Sequence, residues 1–191
     1  YYTAIRKGSR WWAPVNLGAI RVATKGHNGT NETGNYYQWG RRDATNPGCR
    51  TYNGYSSVIT PDDNIFYTGE KARWLSTADV SLWQNGKNDP CPNGYRVPTG
   101  AEMKTWGSCT SESNGLYMVN ADSGFPQLVF PRTGRKMYSN ASMDGGYNTF
   151  FWSSTAVNGD YAKSYVYNGV SALKENDDYH SFGFVVRCIR K

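Results

Sequence analysis

The last third of the chain constrains the fold more than any other stretch. Phe150-Phe151-Trp152 is a dense aromatic cluster, and Phe184-Val185-Val186 further on reads as a core strand running into Cys188. Rings of this size do not stay in water unless they face a partner. These two apolar segments bracket residues 156–180, where 11 of 25 positions are Tyr, Asn, Ser or Gly. Binding loops use this mix, because Tyr supplies rigid contact area at low entropic cost while Ser, Asn and Gly supply adaptable hydrogen bonding. Trp152, Phe184 and Val186 are therefore expected to be scaffold. Asn158, Asp160, Tyr165, Tyr167, Asn176, Asp177, Tyr179 and His180 are expected to share one exposed, ligand-binding surface between Trp152 and Gly183. Alternation along a strand would put Tyr165 and Tyr167 on one face and Val166 on the other. The competing expectation is an ordinary polar loop region.

What could pack around that segment is bounded by composition. At 191 residues the chain suits one domain over 1–191, or at most two small ones. Only 38% of residues are hydrophobic but 15% are aromatic, so the core is built on rings more than on aliphatics. The 21 glycines imply many turns and little long helix. The net charge of +6 is scattered, its tightest groups being Arg6-Lys7-Arg10 and Arg41-Arg42. A nucleic-acid binder would concentrate such charge in a stripe, so no nucleic-acid partner is expected. No run of about 18 apolar residues occurs, so no membrane insertion is expected. The sequence starts at Tyr1 with neither Met nor a signal pattern, which suggests a processed protein or a domain excised from, or attached to, a larger chain.

Cys49, Cys91, Cys109 and Cys188 form no CxxC pair, and only His27 and His180 accompany them, so zinc spacing is absent. Two disulfides in an oxidising compartment are expected, with three connectivities open, against the alternative of buried free thiols. Thr99-Gly100-Ala101-Glu102 fits a capping box and predicts a helix from Gly100 through Trp106, weakened at Gly107. Asn93-Gly94 predicts a turn.

Several stretches recur in a recognisable order: Tyr36-Tyr37-Gln38-Trp39-Gly40-Arg41; Asp89-Pro90-Cys91-Pro92-Asn93-Gly94-Tyr95-Arg96-Val97-Pro98-Thr99 with Glu102; Phe151-Trp152-Ser153-Ser154-Thr155; Tyr161-Ala162; and Gly183-Phe184-Val185-Val186-Arg187-Cys188. From roughly Trp11 to Cys188 this order resembles the Fibrobacter succinogenes major paralogous domain family of Bacteroidetes surface proteins. The resemblance implies an α+β, C-type-lectin-like domain with twisted antiparallel strands, few short helices and long loops. Chain ends return beside each other in such folds, which would suit a Cys91–Cys188 disulfide. Cys49 and Cys109 lie outside the pattern.

A narrower resemblance is to the variable proteins of diversity-generating retroelements. There a polar, Asn- and Tyr-rich segment precedes a terminal Gly-Phe-x-Val-Arg strand, and adenine-directed mutagenesis varies the ligand-facing positions. Asn176-Asp177-Asp178-Tyr179-His180 has such an assortment. The resemblances imply a non-catalytic recognition or adhesion module of an extracellular bacterial surface protein or phage receptor-binding protein. Its partner would be a cell-surface glycan or protein receptor, with any oligomerisation running through the parent protein. An enzyme of the formylglycine-generating kind and a purely structural spacer are the alternatives.

Catalytic chemistry needs a nucleophile, base or metal within mutual reach. No G-x-S-x-G motif or dedicated Cys pair accompanies His27 or His180. The Glu-Pro-Asn, Gln-Pro-Asp and Trp-Asn-Asp tripeptides of calcium-dependent lectins are absent as well. Asp62-Asp63 and Asp177-Asp178 could offer carboxylates to Ca²⁺, but solvated turn positions are the favoured reading. No catalytic residue, metal or cofactor is expected.

Overall fold

A computed structural model describes residues 3–46, 48–68, 72–84, 86–113 and 115–191. Gly, Pro, Asn and Asp turns cut the chain into short extended pieces. The first strands are β1 (Ile5–Lys7), β2 (Arg10–Trp12), β3 (Tyr37–Gln38), β4 (Arg50–Tyr52) and β5 (Ile65–Tyr67). Next come β6 (Tyr95–Arg96), β7 (Thr110–Ser111), β8 (Leu116–Val119), β9 (Leu128–Pro131), β10 (Arg135–Lys136) and β11 (Met143–Asp144). The last are β12 (Thr149–Ala156), β13 (Tyr161–Tyr167), β14 (Lys174–Tyr179), β15 (Gly183–Phe184) and β16 (Ile189–Arg190). Among the described residues, helix is confined to α1 (Thr30–Thr33), α2 (Ser81–Gln84) and α3 (Gly100–Met103), with a 3₁₀ turn over Lys104–Trp106.

Sixteen strands and three four-residue helices correct the α+β, C-type-lectin-like expectation: the described residues are predominantly β. The helical signal at Thr99 is present but short. Thr99 Oγ1 accepts from Glu102 N at 3.3 Å, and Glu102 Oε2 accepts from Thr99 N at 2.9 Å. Gly107 then takes φ 64° and ends the element. Elsewhere ring-bearing and β-branched residues fall into short alternating runs, which favour strands over helices.

At the centre lies the antiparallel sheet β12-β13-β14. Phe151 stands opposite Tyr165, Trp152 opposite Ser164, and Tyr165 opposite Glu175. Phe151, Tyr165 and Tyr167 pack into one aromatic cluster with Trp12, Trp106 and Phe130. On the opposite face Phe150, Trp152 and Val166 pack into a second cluster with Trp39, Trp83 and Phe184. Trp152 stacks on Phe184 with ring centres 4.3 Å apart, and Val186 is buried beside them, so all three are scaffold as expected. The indole N–H groups of Trp39 and Trp152 are satisfied in place. Trp39 Nε1 donates to Ser153 O at 2.8 Å and Trp152 Nε1 to Tyr37 O at 2.8 Å.

A second sheet, β1-β2-β16-β6, brings the two ends of the chain together, with Ile189 paired to both Trp12 and Arg96. Cys188 thereby meets Cys91, and the two form a disulfide across 97 residues of sequence. Closing so long a loop stabilises by about 4–5 kcal/mol on the chain-entropy account. The expectation of a second disulfide is corrected, because Cys49 and Cys109 are free thiols. Cys49 sits half-buried against Lys136, whereas Cys109 is buried in the first aromatic cluster, so neither faces the other's environment. Arg187 explains why a cation can follow the terminal strand. It is fully buried, lies 4.5 Å from the Phe130 ring centre and donates to Asn16 Oδ1, Ala13 O and Val129 O.

Candidate recognition surface

The β12–β13 hairpin turns on Asn158, whose Oδ1 accepts from Asp160 N at 2.9 Å and Tyr161 N at 3.0 Å. An Asn side chain mimics a backbone turn in this way, which is why Asn-Gly-Asp reverses the chain here. Asp160 follows, half-exposed, and accepts from Arg73 Nη1 at 2.8 Å. Its carbonyl accepts from His180 N, tying the hairpin tip to the end of β14. Tyr179 stands opposite Tyr161 in register, their ring centres 4.8 Å apart, and Tyr138 lies edge-on to Tyr179 at 5.4 Å. The three tyrosines are half-exposed and form a platform flanked by Asn158 and Asp160.

Along β14 the side chains alternate between two settings. Glu175 and Asp177 share a face, and Lys163 Nζ lies 3.2 Å from the first and 2.6 Å from the second. Lys104 Nζ also reaches Glu175 at 2.8 Å, and the Tyr165 hydroxyl donates to it at 2.6 Å. Contact with Lys104, then the Tyr165 hydroxyl and Lys163, holds the Glu175 carboxyl down at about 2. Asp178 points the other way and accepts from the Ser164 hydroxyl, and burial raises its pKa. The adjacent carboxylates of Asp177-Asp178 are thus split between faces. Asp62 pairs with Arg42, while Asp63 accepts from the Tyr67 hydroxyl and Ile65 N. Among the described residues no group of three or more His, Cys, Asp or Glu side chains is placed to hold a metal ion.

Of the eight residues expected on one exposed surface, five reach solvent, with alternation along β14 setting Asn176 on the face opposite Asp177. Asn158, Asp160 and Tyr179 gather at the hairpin tip, and Asn176 and Asp177 lie exposed along β14. The other three are corrected. Tyr165 and Tyr167 are 1% and 0% exposed, and Val166 on the opposite face is 4% exposed. The alternation holds, but both faces of β13 are covered, so neither face is an outside. Tyr165 spends its hydroxyl on Glu175 and Tyr167 spends its own on Gly107 O at 2.9 Å. Burial pushes both phenols well above the usual tyrosine range. His180 is buried too, stacked on Trp39 at 4.3 Å between ring centres, and burial pulls its pKa down to about 4.

Composition did not single out Arg73, Lys104, Lys163, Tyr138 or Tyr161 as part of this surface. Tyr161, inside the window, was open to reading as a ring paired across a hairpin. Arg73, Lys104 and Tyr138 come from remote stretches and carry no local signal. A groove of about 530 Å³ is lined by Trp83, Gln84, Asp89, Arg96, Ser154 and Lys191, which come from separate stretches of the chain. Asp89 there accepts from Cys91 N and Val97 N, each at 2.9 Å, and burial raises its pKa. The surface as a whole offers half-exposed rings, amides and carboxylates on a fixed frame, suited to stacking and hydrogen bonding with a ligand. Compared with protein-family models, curated proteins and solved structures, the chain returned no match.

Proposed function

We propose that this chain is a non-catalytic recognition module whose ligand meets the tip of the β12–β13 hairpin and the open edge of β14. One observation carries the proposal: β14 exposes Lys174, Glu175, Asn176 and Asp177 in succession while the strand beside it is buried on both faces. Glu175 also accepts from the buried Tyr165 hydroxyl, whereas Lys174, Asn176 and Asp177 lie outside both aromatic clusters, and the frame beneath them is closely packed. A pre-organised surface of this kind loses little entropy on binding. The ligand class is a cell-surface glycan or protein receptor. The resemblance to Bacteroidetes surface domains and to retroelement-diversified proteins supports display on a bacterial surface or phage particle. The Cys91–Cys188 disulfide is compatible with an extracellular setting. No described helix is long and apolar enough to cross a membrane. If a retroelement diversifies this segment, the positions open to it are Asn158, Asp160, Asn176, Asp177 and Tyr179.

Glycan-array and cell-binding screens test the proposal, followed by Asn176→Ala, Asp177→Ala and Tyr179→Ala against whatever is bound. At least one variant is expected to bind about thirtyfold more weakly, the scale of a 2 kcal/mol hot spot. Undiminished binding by all three would place the ligand elsewhere. Sequencing the neighbouring DNA for a reverse transcriptase and a near-copy template of the 3′ end tests diversification separately.

A further inference from the structure

Lys136 on β10 is 2% exposed, yet its Nζ lies 2.8 Å from the sulfur of Cys49, a half-buried thiol 87 residues earlier. The same Nζ donates to Thr45 O at 2.6 Å and Asn46 O at 2.9 Å, and it sits 5.2 Å from the Phe66 ring centre. Sulfur is a larger atom than oxygen, but here it approaches the nitrogen as closely as the two carbonyl oxygens do. The contact is therefore tight, and the nitrogen is held from moving by the backbone oxygens and the ring. Among the described residues no carboxylate pairs with Lys136. Burial lowers its pKa, which raises the share of neutral amine.

We propose that Lys136 and Cys49 form an oxidation-dependent covalent cross-link in which one oxygen atom bridges Nζ and Sγ. Hydrogen peroxide is the oxidant. In the first step the Cys49 sulfur attacks the peroxide, the O–O bond breaks, an S–O bond forms and water leaves, giving the sulfenic acid. In the second, the Lys136 ammonium releases a proton to solvent, and a second peroxide removes two electrons from the neutral amine and sulfenic acid. The N–O bond forms, the sulfenic O–H and one amine N–H are lost, and two waters leave. In sum one amine, one thiol and two peroxides yield the bridge and three waters. A single oxygen spans a gap close to the one already present. A direct S–N bond would have to draw Nζ away from Thr45 O and Asn46 O.

The test is peptide mass spectrometry of the purified protein, disulfide intact, after treatment with hydrogen peroxide and alkylation with iodoacetamide. The expected product joins the Cys49 and Lys136 peptides at their summed mass less two hydrogens plus one oxygen, and dithiothreitol separates them again. Cys49→Ser and Lys136→Arg should each abolish it. Lys136 is buried, so the fold of its variant is checked by near-UV circular dichroism, and the wild-type product and Cys49→Ser keep the test decisive if that variant unfolds. Cys49 recovered on a separate peptide, whether alkylated or as sulfinic acid, would overturn the proposal. So would a joined pair lacking the oxygen.

Discussion

Strands β13 and β14 are hydrogen-bonded neighbours drawn from the same polar, Tyr- and Asn-rich window, yet their fates differ. In β13, Ala162, Ser164, Tyr165, Val166 and Tyr167 are all buried, because the strand lies between two aromatic clusters. In β14, Lys174 to Asp177 are exposed, because among the described residues the strand has a partner on one side only. A tyrosine serves either place equally well: its ring fills a core and its hydroxyl finds Glu175 or Gly107 O. The difference teaches that position in the sheet, and not residue chemistry, divides scaffold from surface here. The charged row along β14 also protects an open edge against pairing with other chains.

The strongest way to break the comparison is to truncate the buried strand. Tyr167→Ala should cost about 3–5 kcal/mol, the scale for losing a buried aromatic, read from urea unfolding midpoints. A loss under about 0.5 kcal/mol would mean that the ring is not packed as described. The next effect concerns pH. His180 has a folded pKa of about 4 against an ordinary 6.5, so between those values the unfolded chain binds a proton that the folded chain refuses. Its contribution is fully present above pH of about 6.5 and is lost as the pH falls toward 4, by on the order of 3 kcal/mol. Glu175, held at about 2 against 4.5, has the same sign in a lower window: its contribution is complete above 4.5 and fades toward 2. Denaturation midpoints across that range check both, and a profile flat between 6.5 and 4 would remove His180 from the buried set.

A smaller change sharpens the same contrast. Tyr167→Phe keeps the ring but leaves Gly107 O without its donor, and should cost about 1 kcal/mol in the same unfolding measurement. The smallest effects belong to the edge. Asn176→Ala and Asp177→Ala should shift stability by about 0.5 kcal/mol or less, since exposed positions tolerate substitution. Thermal unfolding showing either as damaging as Tyr167→Ala would erase the distinction between the two strands.

Local chemistry alone determined a good part of this protein. The Thr99 and Glu102 capping box, the Asn93-Gly94 turn and the bulk of Trp152, Phe184 and Val186 act over a few residues, or through size that cannot remain in water. The Cys91–Cys188 pairing was legible only through a family resemblance, because spacing left three connectivities open. Fold class was not legible, since one sound helix start does not reveal how many short strands surround it. The exposure of the proposed site residues was half legible. Asn158, Asp160, Asn176, Asp177 and Tyr179 reach solvent as their chemistry suggested, whereas Tyr165, Tyr167 and His180 do not. Only the tertiary structure decided that division, because Trp12, Trp106 and Phe130 come from distant segments to cover one face of β13, and Trp39 and Phe184 to cover the other. Amphipathic rings minimise their free energy in either environment, so what surrounds them is settled by long-range packing and not by the residues themselves.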